Sequence, residues 1–346
     1  MADYQAQILQ ERMKLHTTVF GQAFSPCGHY LAACDNFGRI CVFSLISVFK
    51  PEDSTFDSHK ALLSFQAHKG PIYSLITADN FLISFDISCN HSTSGGSTEI
   101  CGWKWKELLM KFTEPAWVLQ PENSSYGYPE TNALVYNKED NTLFAGCGDN
   151  IIYMWDLETR ICRGTFKGHT DYIQCLALRE TKNQFFSGGE DGTVRVWDFK
   201  NRSNRECHRI KVNENEDIRR SSLGKWIGCL ALNEEQEWMV CGGGPRLSLW
   251  HLSSYTCTNI MDTPGSCQQA AVFHKDLILT GGTKPEIYHW QTNGDLKTKV
   301  PSTATTIYSL AINHLSGHKV LVVAGNCSSV DLFTNFGYKA LSLTFV

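Results

Sequence analysis

The sequence lacks the features that mark membrane, secreted and metal-holding chains. No apolar run approaches the roughly 18–20 residues that cross a bilayer, and the N-terminus has no apolar core typical of a signal peptide. The formal net charge is only −4 over 346 residues, which argues against a general polyanion binder. There are 14 cysteines but no Cys-x-x-Cys spacing, so no metal is expected. We expect a soluble, intracellular protein without cofactor or metal.

Aromatic residues and glycine are plentiful instead. The sequence is 12% aromatic and contains 27 glycines, which suits many short strands joined by tight turns. Several cysteines fall within strand-like apolar runs, where the thiol behaves as a small buried apolar group. We therefore expect structural, reduced cysteines at Cys41, Cys175, Cys229 and Cys241.

Residues 167–199 carry the clearest pattern. They open with Gly168-His169 and close with Trp197-Asp198, and between these pairs lie three short alternating apolar runs. Such runs, bounded by turn residues, predict antiparallel strands. The turn between the second and third runs is Glu190-Asp191-Gly192, in which Asp-Gly accepts positive φ. This segment resembles a WD40 repeat, the unit of a β-propeller blade.

Further copies of this pattern fill the chain, and each ends in an aromatic residue in place of Trp197. Their spacing approaches the period of about 40–45 residues typical of WD40 repeats. We predict one seven-bladed WD40 β-propeller over residues 16–346, preceded by a short helix over residues 1–15, and a mobile loop at 88–98. The closing aromatic residues are Phe43, Trp105, Trp155, Trp197, Trp250, Trp290 and Phe333.

A serine, a histidine and an aspartate in one repeat could indicate hydrolytic catalysis. The same residue types, together with the tryptophan, form a buried hydrogen-bonded tetrad in WD40 blades. Asp191 lies in the turn and Ser187 ends the middle strand, which fits the structural arrangement. We predict that His169, Ser187, Asp191 and Trp197 are structural, that no catalytic residue is present, and that the protein is not an enzyme.

A partner-binding surface is predicted where the inner strands begin. Aligning these strands on their first isoleucine places Tyr172 and Trp226 one step earlier, beside the Gly-His loops. The next strand position holds a second set of polar or aromatic side chains, which alternation turns away from the core. The hypothesis is that a protein partner contacts Tyr73, Tyr172, Gln174, Trp226 and Tyr308. Alternatively, Trp226 caps the core between blades.

Residues 201–225 alternate between basic and acidic runs. The basic run at 202–211 could contact nucleic acid, but charges on an outer strand also prevent edge-to-edge pairing, and we favour that role. Arg219-Arg220-Ser221-Ser222 could be a phosphorylation site for a basophilic kinase. The glycine-rich run at 242–245 lacks the Lys-Ser/Thr of a phosphate loop, so a plain turn is expected.

Several stretches also resemble the THO complex subunit 6 family, the WD40 subunits of the TREX mRNA-export machinery. They include 20–33, 65–70, 168–180, 226–231 and 238–252. The resemblance implies a non-catalytic nuclear scaffold, present in nucleoplasm and nuclear speckles. Its implied partners are other THO subunits, including the coiled-coil subunits 5 and 7, and mRNA indirectly. No membrane or small-molecule substrate is implied.

Two alternatives stay open at this point. A substrate receptor of a ubiquitin ligase also needs only surfaces, but the Trp-Asp-x-Arg pattern of such adaptors is absent after Trp155 and Trp197. A propeller that binds RNA directly would need a basic face.

Overall fold

The computed structural model describes residues 2–49, 59–85, 99–120, 130–201, 204–314 and 319–345. The segment 88–98, predicted as a loop, lies outside these ranges, as does Arg202 of the basic run. The chain begins with helix α1 (Ala2–His16), where a helix is predicted. Two shorter helices are α2 (Leu45–Val48) and α3 (Trp105–Leu109).

The described residues form seven four-stranded sheets, each built from four consecutive strands. Blade one contains β1 (Val19–Phe24), β2 (Tyr30–Asp35), β3 (Arg39–Ser44) and β4 (Leu63–Gln66). Blade two contains β5 (Leu75–Ala78), β6 (Phe81–Phe85), β7 (Ile100–Lys104) and β8 (Trp117–Leu119). Blade three contains β9 (Thr131–Asn137), β10 (Thr142–Cys147), β11 (Ile151–Asp156) and β12 (Ile161–Lys167).

The last four blades follow the same order. Blade four contains β13 (Ile173–Arg179), β14 (Gln184–Gly189), β15 (Val194–Asp198) and β16 (Glu206–Ile210), and blade five contains β17 (Ile227–Leu232), β18 (Trp238–Gly243), β19 (Leu247–His251) and β20 (Thr256–Met261). Blade six contains β21 (Gln268–His274), β22 (Leu277–Gly282), β23 (Glu286–Gln291) and β24 (Leu296–Pro301). Blade seven contains β25 (Ile307–Asn313), β26 (Val320–Gly325), β27 (Ser329–Thr334) and β28 (Tyr338–Thr344).

These seven sheets confirm the predicted fold class, a seven-bladed β-propeller with a short N-terminal helix. The sequence repeat and the blade are offset by one strand. The Gly-His pair of blade four follows β12, which is the outer strand of blade three. The basic run includes β16, the outer strand of blade four, where an outer strand is predicted.

The closing aromatic residue of blade two was predicted wrongly. Trp105 begins helix α3, whereas Trp103 occupies the fourth position of β7, as Trp197 does in β15. The Trp103 ring meets His68 and Phe65 edge-on, at centroid distances of 5.7 and 5.8 Å. Two tryptophans two residues apart give the same alternation, so the sequence pattern could not separate them.

The blades group into two compact units. One holds blades one, two and seven, and the other holds blades three to six. Within the first unit, blades one and seven share a buried core that includes Leu31, Phe43, Val322 and Leu332. Gln22 in β1 donates to the Val322 carbonyl of β26 at 2.8 Å. The end of the chain therefore packs beside its first blade.

Candidate partner-binding surface and its supporting network

Four side chains of blade four form one hydrogen-bonded network. His169 Nδ1 lies 2.8 Å from Asp191 Oδ2, and His169 Nε2 lies 2.7 Å from Ser187 Oγ. Trp197 Nε1 donates to the same Ser187 oxygen at 2.8 Å. The carboxylate can only accept, so the Nδ1 hydrogen points to Asp191 and the serine hydrogen remains for Nε2. The structure thus brings together all four residues predicted as the tetrad, and their structural role remains a prediction for mutagenesis.

The turn between β14 and β15 positions Asp191. The Thr193 amide and hydroxyl donate to Asp191 Oδ1 at 3.0 and 2.7 Å, while the Thr170 amide donates to Oδ2 at 3.2 Å. Gly192 takes φ of +80°, the left-handed conformation that glycine adopts without strain. The Asp191 carboxylate therefore connects the loop that enters blade four to the turn between β14 and β15.

Two opposing effects act on the pKa of Asp191. Burial alone would raise it, but the hydrogen bonds from His169, Thr193 and Thr170 outweigh burial and lower the pKa below its usual value. Arg195 adds a positive charge 3.6 Å away and also pairs with Glu206 of β16. The ionised carboxylate is thus built into the blade.

Ser187, His169 and Asp191 reproduce the contacts of a hydrolytic triad, in which a base activates a serine. Ser187 is fully buried, with 0% of its surface exposed, and its oxygen already accepts a hydrogen bond from Trp197. A nucleophile must reach a substrate carbon, and this oxygen has no path to one. The arrangement connects strands of the blade and gives the buried Ser187 oxygen no access to a substrate.

Six of the seven inner strands begin with a β-bulge, and β5 is the exception. In β13, Ile173 pairs with Gly189 and Cys175 with Gly188, so the residue between them is left unpaired. Bulges re-aim a side chain and increase local twist. The bulge, and not simple alternation, therefore sets the direction of the side chain after the buried isoleucine, and Gln174 and Tyr308 are both partly exposed. The bulged residues are Phe20, Asn132, Gln174, Gly228, Gln269 and Tyr308.

The second unit contains three of the predicted partner-binding residues. Tyr172 is 46% exposed, and its carbonyl accepts from the Glu190 amide at 2.8 Å. Gln174 donates to the Glu190 side chain at 2.7 Å, so its amide is already engaged. Trp226 is half-buried, donates to the Leu223 carbonyl at 3.2 Å, and covers the backbone of Gly228.

The first unit contains the other two, together with one residue that the sequence analysis missed. Tyr73 and Tyr308 both contact the ring of Phe20, at centroid distances of 4.7 and 5.2 Å. Tyr73 is 39% exposed. Phe20 follows Val19 in the same bulged position that Tyr308 occupies after Ile307, and that alignment could have revealed it.

Arg220 has a structural function that its sequence context did not suggest. Its guanidinium donates five hydrogen bonds to backbone carbonyls on two neighbouring loops, at distances of 2.8–3.2 Å. Three of the acceptors belong to the turn at 243–245 and two to the β20–β21 loop, at Thr263 and Ser266. Burial lowers the pKa of Arg220. These contacts account for the arginine, and phosphorylation of the neighbouring serines remains a prediction.

The described residues form neither a metal-ion site nor a membrane-spanning helix. No group of three or more histidine, cysteine, aspartate or glutamate side chains in those ranges is placed to hold a metal ion. Across the same ranges, no helix has the length and apolar character needed to span a membrane.

Comparison with known proteins gives consistent results. The family model "WD domain, G-beta repeat" matches residues 160–198, which include the tetrad of blade four. The chain is 44% identical to THO complex subunit 6 homolog of Danio rerio, over 96% of this chain and 98% of that protein. It is 42% identical to THO complex subunit 6 of Homo sapiens, over 99% and 96%. It is 30% identical to THO complex subunit 6 of Drosophila melanogaster, over 94% of this chain and 88% of that protein.

Proposed function

The chain belongs to the THO complex subunit 6 family, and from this membership we propose that it is a non-catalytic scaffold of the THO complex. In this proposal it acts in the nucleus, in nucleoplasm and speckles, and couples transcription and processing to mRNA export through protein–protein contacts. Its partners are the other THO subunits, including coiled-coil subunits 5 and 7, and it meets mRNA only through them.

The exposure of the Tyr172 ring is the observation that supports a docking role most directly. Its ring is nearly half exposed, while its backbone carbonyl is bonded to the Glu190 amide beside Asp191. The backbone that carries the exposed ring is thus held in place by the turn that contains Asp191. Aromatic side chains held in this way contribute contact area with little loss of conformational entropy, and they often dominate interfaces.

Trp226 enlarges this surface in the proposal. Its indole is half-buried against its own strand, so one part of the ring remains available while the other fixes its position. Phe20, Tyr73 and Tyr308 form a second aromatic surface on the other unit. The two surfaces are separate candidates, and variants can test each one alone.

The test is affinity purification of the tagged full chain from nuclear extract, with and without nuclease, followed by mass spectrometry. The Tyr172→Ala/Trp226→Ala variant is expected to fold and to lose at least one THO subunit. Tyr338→Ala is the matched control, because Tyr338 is 70% exposed and lies on the outer strand of blade seven. It should retain all partners.

Two results would count against the proposal. An unchanged set of THO subunits, with an intact circular dichroism spectrum, would remove Tyr172 and Trp226 from the interface. Tyr73→Ala/Tyr308→Ala would then test the second surface. Recovery of RNA but no THO subunit, abolished by nuclease, would instead indicate direct RNA binding and overturn the scaffold assignment.

A further inference from the structure

A groove of about 560 Å³ lies between blades five and six, both in the second unit. Its wall includes the turns that follow β17 and β21. Trp226 lies just before β17, whereas the groove residues 233–235 lie just after it, so the six residues of that strand separate Trp226 from the groove. At about 3.4 Å per residue, this distance is roughly 20 Å, and the groove is a different surface from the one proposed above.

The floor of the groove is apolar and the rim is acidic. Leu249 and Phe273 are buried below it, and Trp238 is half-buried, with its ring 4.8 Å from that of His251. The volume falls within the range of about 300–1,000 Å³ typical of ligand sites. An aromatic floor that is only partly covered offers both apolar contact and a ring face for a cation.

The charge of the rim is unbalanced. Glu234, Glu235 and Asp276 line it together with one base, Lys275. Glu235 accepts from Asn233 at 2.6 Å. Glu234, Asp276 and Lys275 are exposed, and within the described part of the chain none of the three forms an ion pair. An excess of two negative charges around an aromatic floor is complementary to a cationic, partly apolar ligand.

We propose that this groove binds a short peptide segment of a protein partner, in which arginine or lysine alternates with an apolar residue. The cationic side chains lie against Glu234 and Asp276, and one of them covers the face of Trp238, while the apolar side chain enters above Leu249 and Phe273. The inference does not depend on the THO scaffold assignment, because it uses a different surface.

Fluorescence anisotropy of the full chain can test this site with a labelled peptide, Gly-Ser-Arg-Leu-Lys-Leu-Arg-Ser-Gly. Glu234→Gln/Asp276→Asn removes two charges with little change of shape, and binding should weaken about fivefold. Trp238→Ala should weaken it about tenfold. Lys275→Gln removes the opposing charge and should strengthen binding about twofold. Raising the salt concentration should weaken binding by the wild-type chain.

Control measurements separate this site from the other surface. Tyr172→Ala/Trp226→Ala should bind the peptide as the wild type does, whatever its effect on THO subunits. A peptide with glutamate in place of each arginine and lysine should not bind. Absence of saturable binding to the cationic peptide would overturn the proposal. So would unchanged binding in both the charge variants and Trp238→Ala, or binding of labelled oligouridine that is lost in those variants.

Discussion

Blades two and four carry the same histidine–serine pair but complete it differently. In both, the histidine Nε2 lies 2.7 Å from the serine oxygen. In blade four the tryptophan also donates to that serine, whereas Trp103 of blade two donates to the Thr113 carbonyl at 2.9 Å. The tryptophan ring occupies the same strand position in both blades, whereas its indole N–H donates to a different nearby acceptor in each.

Two other blades support this interpretation. The Trp290 indole donates to Thr280 at 3.0 Å, ten residues earlier, as Trp197 does to Ser187. Trp250 donates instead to Ser248 of its own strand at 2.9 Å. A large aromatic ring in the core fixes the blade through packing, and the indole N–H of these blades donates to an acceptor that differs from blade to blade. Trp155 of blade three packs in the same way, although its buried Nε1 has no hydrogen-bond partner among the described residues. Blade four differs in adding a carboxylate.

The largest expected effect concerns the ring itself. Trp197→Ala removes a fully buried side chain that contacts Phe166 and Phe185, and it leaves Ser187 with one bond fewer. Loss of such a side chain costs about 3–5 kcal/mol in free energy of unfolding. Urea denaturation followed by circular dichroism measures it. Soluble variant protein with an unchanged unfolding midpoint would contradict the packing role and the assignment of this blade.

The second effect is the pH dependence that His68 gives to the free energy of unfolding. Burial lowers the pKa of His68 from 6.5 to about 4, so the folded state binds its proton later than the unfolded chain as pH falls. The stability from neutral His68 is complete above pH 6.5 and is lost between pH 6.5 and about 4. The loss is at most about 3 kcal/mol. His68→Gln should therefore flatten the fall in unfolding free energy over this window.

The same titration needs a matched control. Burial, with the charge of Lys297, also lowers the pKa of His289 to about 4, so part of the pH dependence will persist in the His68 variant. His289→Gln is therefore the matched variant, and the double variant should flatten the fall further than His68→Gln alone. If His68→Gln has the wild-type slope, then His68 does not contribute to the acid sensitivity.

The sequence predicted what depends on repetition. The seven blades, the terminal helix and the grouping of His169, Ser187 and Asp191 all follow from spacing and turn residues. The sequence did not predict features for which two nearby residues fit the same pattern equally well. Alternation could not choose Trp103 over Trp105, because both have the same parity.

Backbone interactions are the other feature that the sequence did not reveal. A bulge shifts the direction of the bulged residue, and nothing in the residue types around Gln174 marks one. Arg220 likewise stood in a motif that suggested a phosphorylation site, whereas its five acceptors are backbone carbonyls, which every residue carries. Contacts to backbone leave no pattern in a single sequence.

The smallest effect is also the most direct comparison of the two blades. Ser187→Ala and Ser84→Ala remove the same oxygen from sites that are both fully buried, so the packing changes nearly cancel. Ser187 bonds to His169 and Trp197, whereas the bond recorded for Ser84 is that to His68. At about 1 kcal/mol for each hydrogen bond, the losses in unfolding free energy should be about 2 and about 1 kcal/mol. Equal losses would show that the indole bond contributes nothing. A hydrolase activity that disappeared in folded Ser187→Ala would show instead that this serine is catalytic.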